Sequence, residues 1–272
     1  QYCNISYGGN EHYALIRVNN LYDVEVKILN SYLHHSMYRA IQIEYSSATI
    51  SDSRITDWGA TSYAFEINQG VNLEMSNNEV LLPVETEYGV TYNGIGYIYP
   101  YYHDQYHSMM RIHGNHFRGE HYGISISNSS DYDKVDTVLF YDNIVETQYW
   151  NNALTVNSRY DHFTSVHNNI FRNPNPYVTT DGRGIYLEHD GIFRNNLIDN
   201  FEDAFYIQSN STATIENNIL TNNDHSFEMN GSATGLNISY NDFFSNGQLV
   251  EYDITQYLPV GLGELITINS NG

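Results

Sequence analysis

A short phrase recurs nine times along this 272-residue chain and limits what the chain can fold into. Each copy has an apolar residue, two turn residues, a small polar residue and a second apolar residue two positions further on. The small polar residues lie 22 to 37 positions apart, and they are Ser31, Ser53, Asn78, Asn115, Asn143, Asn169, Asn196, Asn218 and Asn241. A β-type pattern at this period, without a helical stretch, predicts a solenoid of stacked coils.

A second phrase follows the first in every coil and reads small, apolar, polar, apolar. Its nine copies lie at 15–18, 40–43, 64–67, 89–92, 123–126, 153–156, 184–187, 204–207 and 226–229. Alternation with a period of two is typical of a half-buried strand. Because the first phrase adds two short strands around its turn, we expect three strands in each coil and parallel sheets along the solenoid.

The repeats also predict which side chains form the interior. Two apolar columns should point inward, with one residue of each column in every coil. The first column is Ile28, Ile50, Met75, Ile112, Phe140, Val166, Phe193, Ile215 and Ile238. The second column is Leu33, Ile55, Val80, Phe117, Val145, Phe171, Ile198, Leu220 and Phe243. At roughly 2 kcal/mol for each buried apolar side chain, this core is sufficient without a ligand.

The column of small polar residues is expected to be structural. A side-chain amide both donates and accepts hydrogen bonds, so copies stacked about 4.8 Å apart can bond to each other and to the turn backbone. The residues that precede this column are types that favour a left-handed turn. They are Asn30, Asp52, Asn77, Gly114, Asp142, Asn168, Asn195 and Asn217. The sequence therefore predicts an asparagine ladder, without a catalytic role.

The segments 168–171, 195–198 and 217–220 read Asn-Asn-Ile-Phe, Asn-Asn-Leu-Ile and Asn-Asn-Ile-Leu, and each is followed by a copy of the second phrase. They resemble the repeats of the pectate-lyase-like superfamily of right-handed parallel β-helices, over about residues 13–250. The resemblance implies an all-β, right-handed parallel β-helix solenoid of about nine to ten coils. We expect a single domain over 1–272, with an irregular exit at 251–272. The superfamily holds polysaccharide lyases, glycoside hydrolases, uronate epimerases, phage tailspikes and adhesive proteins, so it implies no single activity.

Composition limits the classes of molecule that the chain is expected to bind. The formal net charge is −21, which repels the phosphates of nucleic acids unless a metal ion bridges them. The 26 tyrosines suit stacking against sugars, although tyrosine also suits β-strands in general. The lone Cys3 excludes an internal disulfide, and no apolar run reaches the roughly 18 residues that a membrane span needs. We expect a secreted or cell-surface protein with flanking domains in its parent, and a polysaccharide or surface glycan as partner.

In the enzymes that the chain resembles, substrate lies along the outside of the second-phrase strand. The outward positions there are Arg17, Gln42, Glu66, Thr91, Ser125, Thr155, Tyr186, Tyr206 and Glu228. Lyases of this superfamily need Arg or Lys to neutralise a uronate and to act as a base. Arg17 is the lone cation in this row, so the lyase pattern is missing where the resemblance would place it.

Loop lengths point to a different region. The turn after the second phrase is expected to be long at about 94–110, 128–137 and 158–164, and consecutive insertions often form a binding face. The candidate catalytic residues are Asp161, His162, Glu188, His189, Asp190 and Arg159. The candidate substrate-binding residues are Tyr160, Tyr186, Tyr206 and Lys134. The candidate metal ligands are His103, Asp104 and His107, with Ca²⁺ as the cofactor that carboxylates would admit.

Three interpretations of these loops stay open. Paired carboxylates with histidine suit acid–base catalysis by a lyase or a glycoside hydrolase. The same groups suit metal or glycan binding without turnover, and they also suit an ordinary solvated loop. The functional hypotheses are accordingly a secreted protein that binds and depolymerises a polysaccharide, and a non-catalytic adhesive or structural module of a cell-surface or phage receptor-binding protein.

Two further outward rows are unusual. One precedes the ladder turn and reads His113, Tyr141, His167, Arg194 and Glu216. The other, just after the ladder, has the adjacent aliphatic residues Ile144, Ile170, Leu197 and Ile219. An exposed aliphatic row predicts either cover by loops such as 172–183 or contact with another domain or subunit.

Overall fold

The structure is a computed structural model. It describes residues 3–6, 14–19, 25–59, 63–70, 72–82, 94–100, 109–120, 122–128, 137–148, 152–158, 163–175, 182–209, 211–231 and 235–252. These residues form short β-strands joined by turns. In these ranges there is no helix long and apolar enough to cross a membrane.

The strands follow one another in a regular order. They are β1 (Cys3–Ser6), β2 (Ile16–Asn19), β3 (Glu25–Leu29), β4 (Ser31–His34), β5 (Ile41–Glu44), β6 (Ser47–Ser51), β7 (Arg54–Thr56), β8 (Tyr63–Gly70), β9 (Asn72–Ser76), β10 (Glu79–Leu81), β11 (Gly94–Pro100), β12 (Met109–His113), β13 (His116–Gly119), β14 (Tyr122–Asn128), β15 (Thr137–Tyr141), β16 (Ile144–Thr147), β17 (Leu154–Ser158), β18 (Phe163–His167), β19 (Ile170–Arg172), β20 (Arg183–Arg194), β21 (Leu197–Asp199), β22 (Asp203–Gln208), β23 (Thr212–Glu216), β24 (Ile219–Thr221), β25 (His225–Asn230), β26 (Asn237–Ser239), β27 (Asp242–Phe244) and β28 (Gln248–Tyr252).

The strands stack into three parallel sheets along the solenoid. Sheet 1 is β1, β4, β7, β10, β13, β16, β19, β21, β24 and β27. Sheet 2 is β2, β5, β8, β11, β14, β17, β20, β22, β25 and β28. Sheet 3 is β3, β6, β9, β12, β15, β18, β20, β23 and β26. The chain passes from sheet 3 to sheet 1 to sheet 2 in each coil, which confirms the predicted right-handed parallel β-helix.

The two predicted inward columns form the core. The first column runs in register through sheet 3, and its members are almost fully buried. The second runs through sheet 1 and is equally buried until its last member, Phe243, which is partly buried. Equivalent residues of successive coils therefore stack on one another. Because this stacking sets the register, the register does not depend on the length of the connecting turns.

The asparagine ladder is present. In Asn143, for example, Nδ2 donates to Asn169 Oδ1 at 3.1 Å and to the Ile112 carbonyl oxygen at 2.8 Å. Its backbone N–H donates to the same Asn169 Oδ1 at 2.9 Å. The same pattern runs from Asn78 to Asn241, and Ser31 and Ser53 extend it with hydroxyl groups. All eight residues that precede the ladder in the prediction have a positive φ.

A second, shorter ladder was not predicted. Asn223 donates from Nδ2 to Asn246 Oδ1 at 3.1 Å and to the Ile198 carbonyl oxygen at 3.1 Å, and its own Oδ1 accepts the Phe201 backbone N–H at 3.0 Å. The left-handed residues Asn222 and Ser245 precede it. The sequence signal was present, because an Asn-Asn pair at 222–223 follows the pair at 217–218 after one short strand.

The prediction for the fourth coil was wrong. The segment 89–92 was expected to form the sheet 2 strand, and 94–110 was expected to be a loop. Instead, β11 fills this place and pairs with β8 and β14, with Gly96 opposite Phe65. A side chain at Gly96 would overlap the Phe65 ring. Because glycine has no side chain, the ring can pack in this space. Residues 89–92 lie outside the described part of the chain, and Tyr97 takes the outward place given to Thr91.

The described strands extend from Cys3 to Tyr252. The regular coils therefore reach two residues into the stretch expected to be an irregular exit, and residues 253–272 lie outside the described ranges. The assignment of the whole chain to one domain stays a prediction.

Candidate functional site

The outer face of sheet 2 carries one continuous row of mostly polar and aromatic side chains. Strand register places the row members beside each other in successive coils. They are Arg17, Gln42, Glu66, Tyr97, Ser125, Thr155, Tyr186, Tyr206 and Glu228. Apart from the replacement of Thr91 by Tyr97, this is the predicted row, and two clusters stand out on it.

The first cluster is centred on Glu66, which is nearly buried although its position faces outward. Its carboxylate forms an ion pair with Arg39 and accepts a hydrogen bond from Asn68 Nδ2. Burial raises the pKa of the Glu66 carboxyl, and nearby Glu44 raises it further, against the opposing effects of Arg39 and Asn68. Glu66 is therefore a carboxyl group whose protonated form is favoured relative to an exposed glutamate.

Glu44 and Gln42 lie beside this carboxyl. Gln42 Nε2 donates to Glu44 Oε1 at 2.9 Å, while Arg17 Nη2 lies 3.8 Å from Glu44 Oε2. The other amide atom, Gln42 Oε1, is buried and has no hydrogen-bond partner among the described residues. A buried acceptor without a donor costs free energy. Asn157 Oδ1, further along the same sheet, is a second acceptor of this kind.

Three tyrosines border the Glu66 cluster. The rings of Tyr63 and Tyr97 lie 5.6 Å apart between centroids, and those of Tyr97 and Tyr99 lie 6.4 Å apart and nearly parallel. Burial raises the pKa values of Tyr63 and Tyr97, so both phenols stay neutral donors over the physiological range. The rings are only partly buried, and they present an apolar border to the carboxyl pair.

The second cluster contains the two predicted substrate-binding tyrosines that the structure describes. The rings of Tyr186 and Tyr206 stack at 5.4 Å, and the Arg183 guanidinium lies 3.5 Å from the Tyr206 ring centroid. The same guanidinium lies 5.9 Å from the Tyr186 ring centroid, and the Tyr206 hydroxyl accepts a hydrogen bond from Asn230 at 2.9 Å. Burial, and then the charge of Glu188, raise the pKa of Tyr186.

Beside these rings lies a buried carboxylate that the sequence did not indicate. Asp203 Oδ1 lies 2.9 Å from His225 Nδ1, and Arg183 Nε donates to Asp203 Oδ2 at 3.4 Å. Register places Arg183, Asp203 and His225 in adjacent coils at the start of the sheet 2 strands. The arrangement fixes the orientation of the imidazole, as in many acid–base sites and in many structural ion pairs.

Of the six predicted catalytic residues, the structure describes Glu188, His189 and Asp190. Glu188 lies on the outer face of sheet 2, opposite Asn157, whereas Asp190 begins the sheet 3 part of β20 and accepts a hydrogen bond from Thr212. Strand β20 runs through 188–190 without interruption. The backbone of His189 pairs opposite Ser158. The candidates outside the described residues are Arg159, Asp161, His162, Tyr160, Lys134, His103, Asp104 and His107.

In the described part of the chain, no group of three His, Cys, Asp or Glu side chains is arranged to hold a metal ion. The predicted metal ligands are not among these residues, so the proposed Ca²⁺ site stays a prediction.

The row before the ladder turn is a stack of rings. Tyr141 lies between His113 at 4.7 Å and His167 at 5.1 Å, and the ring planes are nearly parallel. His113 Nε2 is 2.6 Å from Glu74 Oε1. In the aliphatic row on sheet 1, Ile144, Ile170 and Leu197 are partly buried and Ile219 is exposed.

The described basic residues are nearly all paired one to one. Every described lysine or arginine except Arg118 and Arg172 contacts a carboxylate that no other described lysine or arginine contacts. These pairs are Arg17–Glu44, Lys27–Glu25, Arg39–Glu66, Arg54–Glu79, Arg111–Glu74, Arg183–Asp203 and Arg194–Glu216.

Glu146 on the outer face of sheet 1 differs, because two arginines share it. Arg118 Nε donates to Oε2 at 2.6 Å and Arg172 Nε donates to Oε1 at 2.6 Å, while His116 Nε2 lies 3.0 Å from Oε2. The Glu146 side chain has no exposed surface. Burial raises its pKa, but the hydrogen bonds from Arg118, His116 and Arg172 outweigh burial and lower the pKa to about 2.

This lowered pKa predicts a pH-dependent contribution to stability. Because the folded pKa lies below the ordinary value of 4.5, the contribution is present above about pH 5 and is lost as the pH falls towards 2. Above pH 5 the wild type should exceed Glu146→Gln in free energy of unfolding by up to about 3 kcal/mol, from roughly 1.4 kcal/mol for each pKa unit. Urea unfolding at pH 7, 5, 3.5 and 2.5 should show this gap closing.

The matched control is Glu79→Gln, which removes an exposed carboxylate from the Arg54 pair on the same sheet. The wild type and Glu79→Gln should differ in free energy of unfolding by less than about 1 kcal/mol at every pH. If the wild type exceeds Glu146→Gln in free energy of unfolding by the same amount at pH 2.5 and at pH 7, the ionised form of Glu146 is not the source of the stabilisation.

Comparison with known proteins agrees with this architecture. Residues 101–258 match a family described as a right-handed β-helix region. No curated protein and no solved structure gives a significant match. The family match covers more than half of the chain, and the parallel coils extend on its N-terminal side to β1. The chain therefore belongs to the right-handed β-helix family.

Proposed function

We propose that the protein is a carbohydrate-active β-helix that binds a polysaccharide across the outer face of sheet 2 and hydrolyses it at the Glu66 cluster. The observation that carries the proposal is a nearly buried carboxyl with a raised pKa, Glu66, beside a second carboxylate and a border of three tyrosines. This differs from the loop site expected from the sequence, because the residues of that site are largely beyond the described ranges.

Glycoside hydrolysis needs two carboxyl groups in different protonation states. One protonates the leaving oxygen, and the other acts as a base or a nucleophile. We assign the acid role to Glu66, whose protonated form is favoured by burial, and the base or nucleophile role to Glu44, which Gln42 and Arg17 contact. Arg39 then opposes an excessive rise of the Glu66 pKa and holds the carboxyl in place.

The surrounding groups suit a sugar chain. The partly buried rings of Tyr63, Tyr97 and Tyr99 offer flat apolar surfaces against which a sugar ring can stack. The net charge of −21 favours a neutral polymer, or an acidic one bridged by Ca²⁺. Because such polymers are mostly extracellular, we also propose a secreted or cell-surface location.

A non-catalytic adhesive module is the second candidate. It is favoured by the contacts of Tyr206 with Tyr186 and Arg183, and by the pairing of Asp203 with His225 and Arg183. These contacts stabilise the face and leave fewer groups for chemistry. Under this alternative Glu66 and Arg39 form a structural ion pair.

Replacement of Glu66 by Gln distinguishes the two. If Glu66 is the acid, release of reducing ends from soluble β-glucan, xylan, galactomannan or Ca²⁺-polygalacturonate should fall by about 10²- to 10⁴-fold, because proton donation is lost. Binding of the same polymer, measured by affinity electrophoresis, should change little. Glu216→Gln, on sheet 3, is the control and should keep both properties.

Unchanged turnover in Glu66→Gln would place the acid elsewhere. Binding by the wild type without turnover on any polymer would support the adhesive module. If the wild type binds none of the four polymers, both the hydrolase and the adhesive module are excluded for these classes of glycan.

A further inference from the structure

The Glu146 cluster on sheet 1 brings three basic side chains together in an acidic protein. Arg118 and Arg172 share one carboxylate, whereas the other described lysines and arginines each have their own. The cluster thus holds two guanidinium groups and one shared carboxylate, while Asp199, opposite Arg172 in the strand register, lies at its edge. At about 0.15 M salt the screening length is about 8 Å, so a group in contact with the guanidinium groups is affected chiefly by these neighbouring charges and little by the distant surface.

The carboxylate of Glu146 is buried, whereas the guanidinium-bearing side chains around it are partly exposed. Its two oxygens accept from the two arginines and His116, and its side chain has no exposed surface. The side chains of Arg118 and Arg172 are 35% and 49% exposed. A ligand approaching this face therefore meets donors and does not meet the carboxylate that holds them.

Donor groups remain available. Arg118 contacts Glu146 through Nε, and its two Nη groups have no acceptor among the described residues. Of the nearest acidic neighbours in the strand register, Glu79 forms an ion pair with Arg54, whereas Asp199, opposite Arg172, accepts a hydrogen bond at 2.8 Å from the uncharged amide of Asn222. A guanidinium with two free donor groups is well suited to bind a planar or tetrahedral oxyanion.

The partly buried Ile144 and Ile170 lie in the same strands as Glu146 and Arg172, two positions before them. They place an apolar surface beside the cations, where the carbon skeleton of an organic acid can rest.

We propose that Arg118, Arg172 and His116 form a binding site for an oxyanion, with Glu146 as the residue that positions the arginines. The ligand class is a sulfate or carboxylate group, and the Ile144–Ile170 surface favours a carboxylate carried by an organic molecule such as a sugar acid. The site is on a different sheet from the proposed polysaccharide face and does not depend on it.

Isothermal titration calorimetry with sodium sulfate and with sodium galacturonate, at constant low ionic strength and pH 6, tests the site. The wild type should bind at least one of the two, more weakly as sodium chloride is added. Arg172→Gln and Arg118→Gln should each weaken binding about tenfold or more, because a charge-assisted hydrogen bond is lost. Tighter binding of galacturonate than of sulfate would support the contribution of the apolar surface.

Arg194→Gln is the matched control, since it removes a similarly exposed arginine that is paired with Glu216. It should bind as the wild type does. An equal loss in Arg194→Gln, or no binding by the wild type to either anion, would overturn the proposal. Should both cluster variants fail to fold, the imidazole proton shifts of His116 in the wild type decide: saturable shifts on addition of either anion support the site, and constant shifts overturn it.

Discussion

Replacing Asn169 by Leu is expected to lower the free energy of unfolding by about 3 to 5 kcal/mol. The change removes the acceptor of the Asn143 backbone N–H and the donor to the Phe140 carbonyl oxygen, and both groups are inside the ladder. A buried polar group without a partner costs roughly 1 to 3 kcal/mol, and the bond to Asn196 Oδ1 is lost as well. Urea unfolding monitored by circular dichroism measures the difference.

Asn237→Leu is the control for this substitution. Asn237 lies in strand β26 but is exposed, so the same chemical change should alter stability by no more than about 0.5 kcal/mol. Because each coil contacts chiefly its neighbours, loss at Asn169 is expected to loosen the coils on both sides. Equal midpoints for Asn169→Leu and the wild type would mean that the ladder bonds do not contribute to stability.

The ladder and the core were predictable because they repeat. A position that recurs once per coil is constrained by the coil on each side, so spacing alone gives its register. This is why every predicted member of the two inward columns lies on its expected sheet, and why the left-handed residues before the ladder were identified from residue type.

The fourth coil shows where spacing is insufficient. The 36 residues between Asn78 and Asn115 hold the stretch 89–92, which fits the second phrase, and the stretch 95–98, which reads Ile-Gly-Tyr-Ile and departs from it. The pattern therefore selects 89–92, whereas the structure uses 94–100. The choice depends on a contact between coils, the place that Gly96 leaves for the Phe65 ring, and a pattern within one coil does not contain that information.

The polar clusters were less predictable for the same reason. His116, Arg118, Glu146 and Arg172 come from three coils, and each by itself has the appearance of an ordinary exposed residue. Only parallel register brings them together. Glu66 was placed in the correct row, but its partner Arg39 precedes the repeat phrase and had no assigned place. The expected loop residues such as Asp161 lie outside the described residues, and their placement stays a prediction.

The second large effect is expected at Gly123, where replacement by Ala should destabilise the protein by about 3 kcal/mol or more. A Cβ atom at Gly123 would overlap the carbonyl oxygen of Ala153 in the next coil. The Gly123 N–H and the carbonyl oxygen of Asn152 are hydrogen-bonded at 3.0 Å, so neither backbone can move away without breaking sheet 2 at this coil. Overpacking against backbone exceeds the usual 1 to 3 kcal/mol for side-chain crowding, because a side chain can change its rotamer and a paired strand cannot.

Gly182→Ala is the control that separates this clash from a general preference for glycine. A Cβ atom there would lie 3.9 Å from the nearest atom, Cδ1 of Phe201, which is ordinary contact. Since alanine also restricts the unfolded chain, Gly182→Ala should leave stability unchanged or raise it by up to about 1 kcal/mol. Urea midpoints should therefore move in opposite directions or by very different amounts. If both variants unfold at the wild-type midpoint, the close approach of coils at Gly123 is not a constraint, and the register of β14 against β17 would have to be shifted.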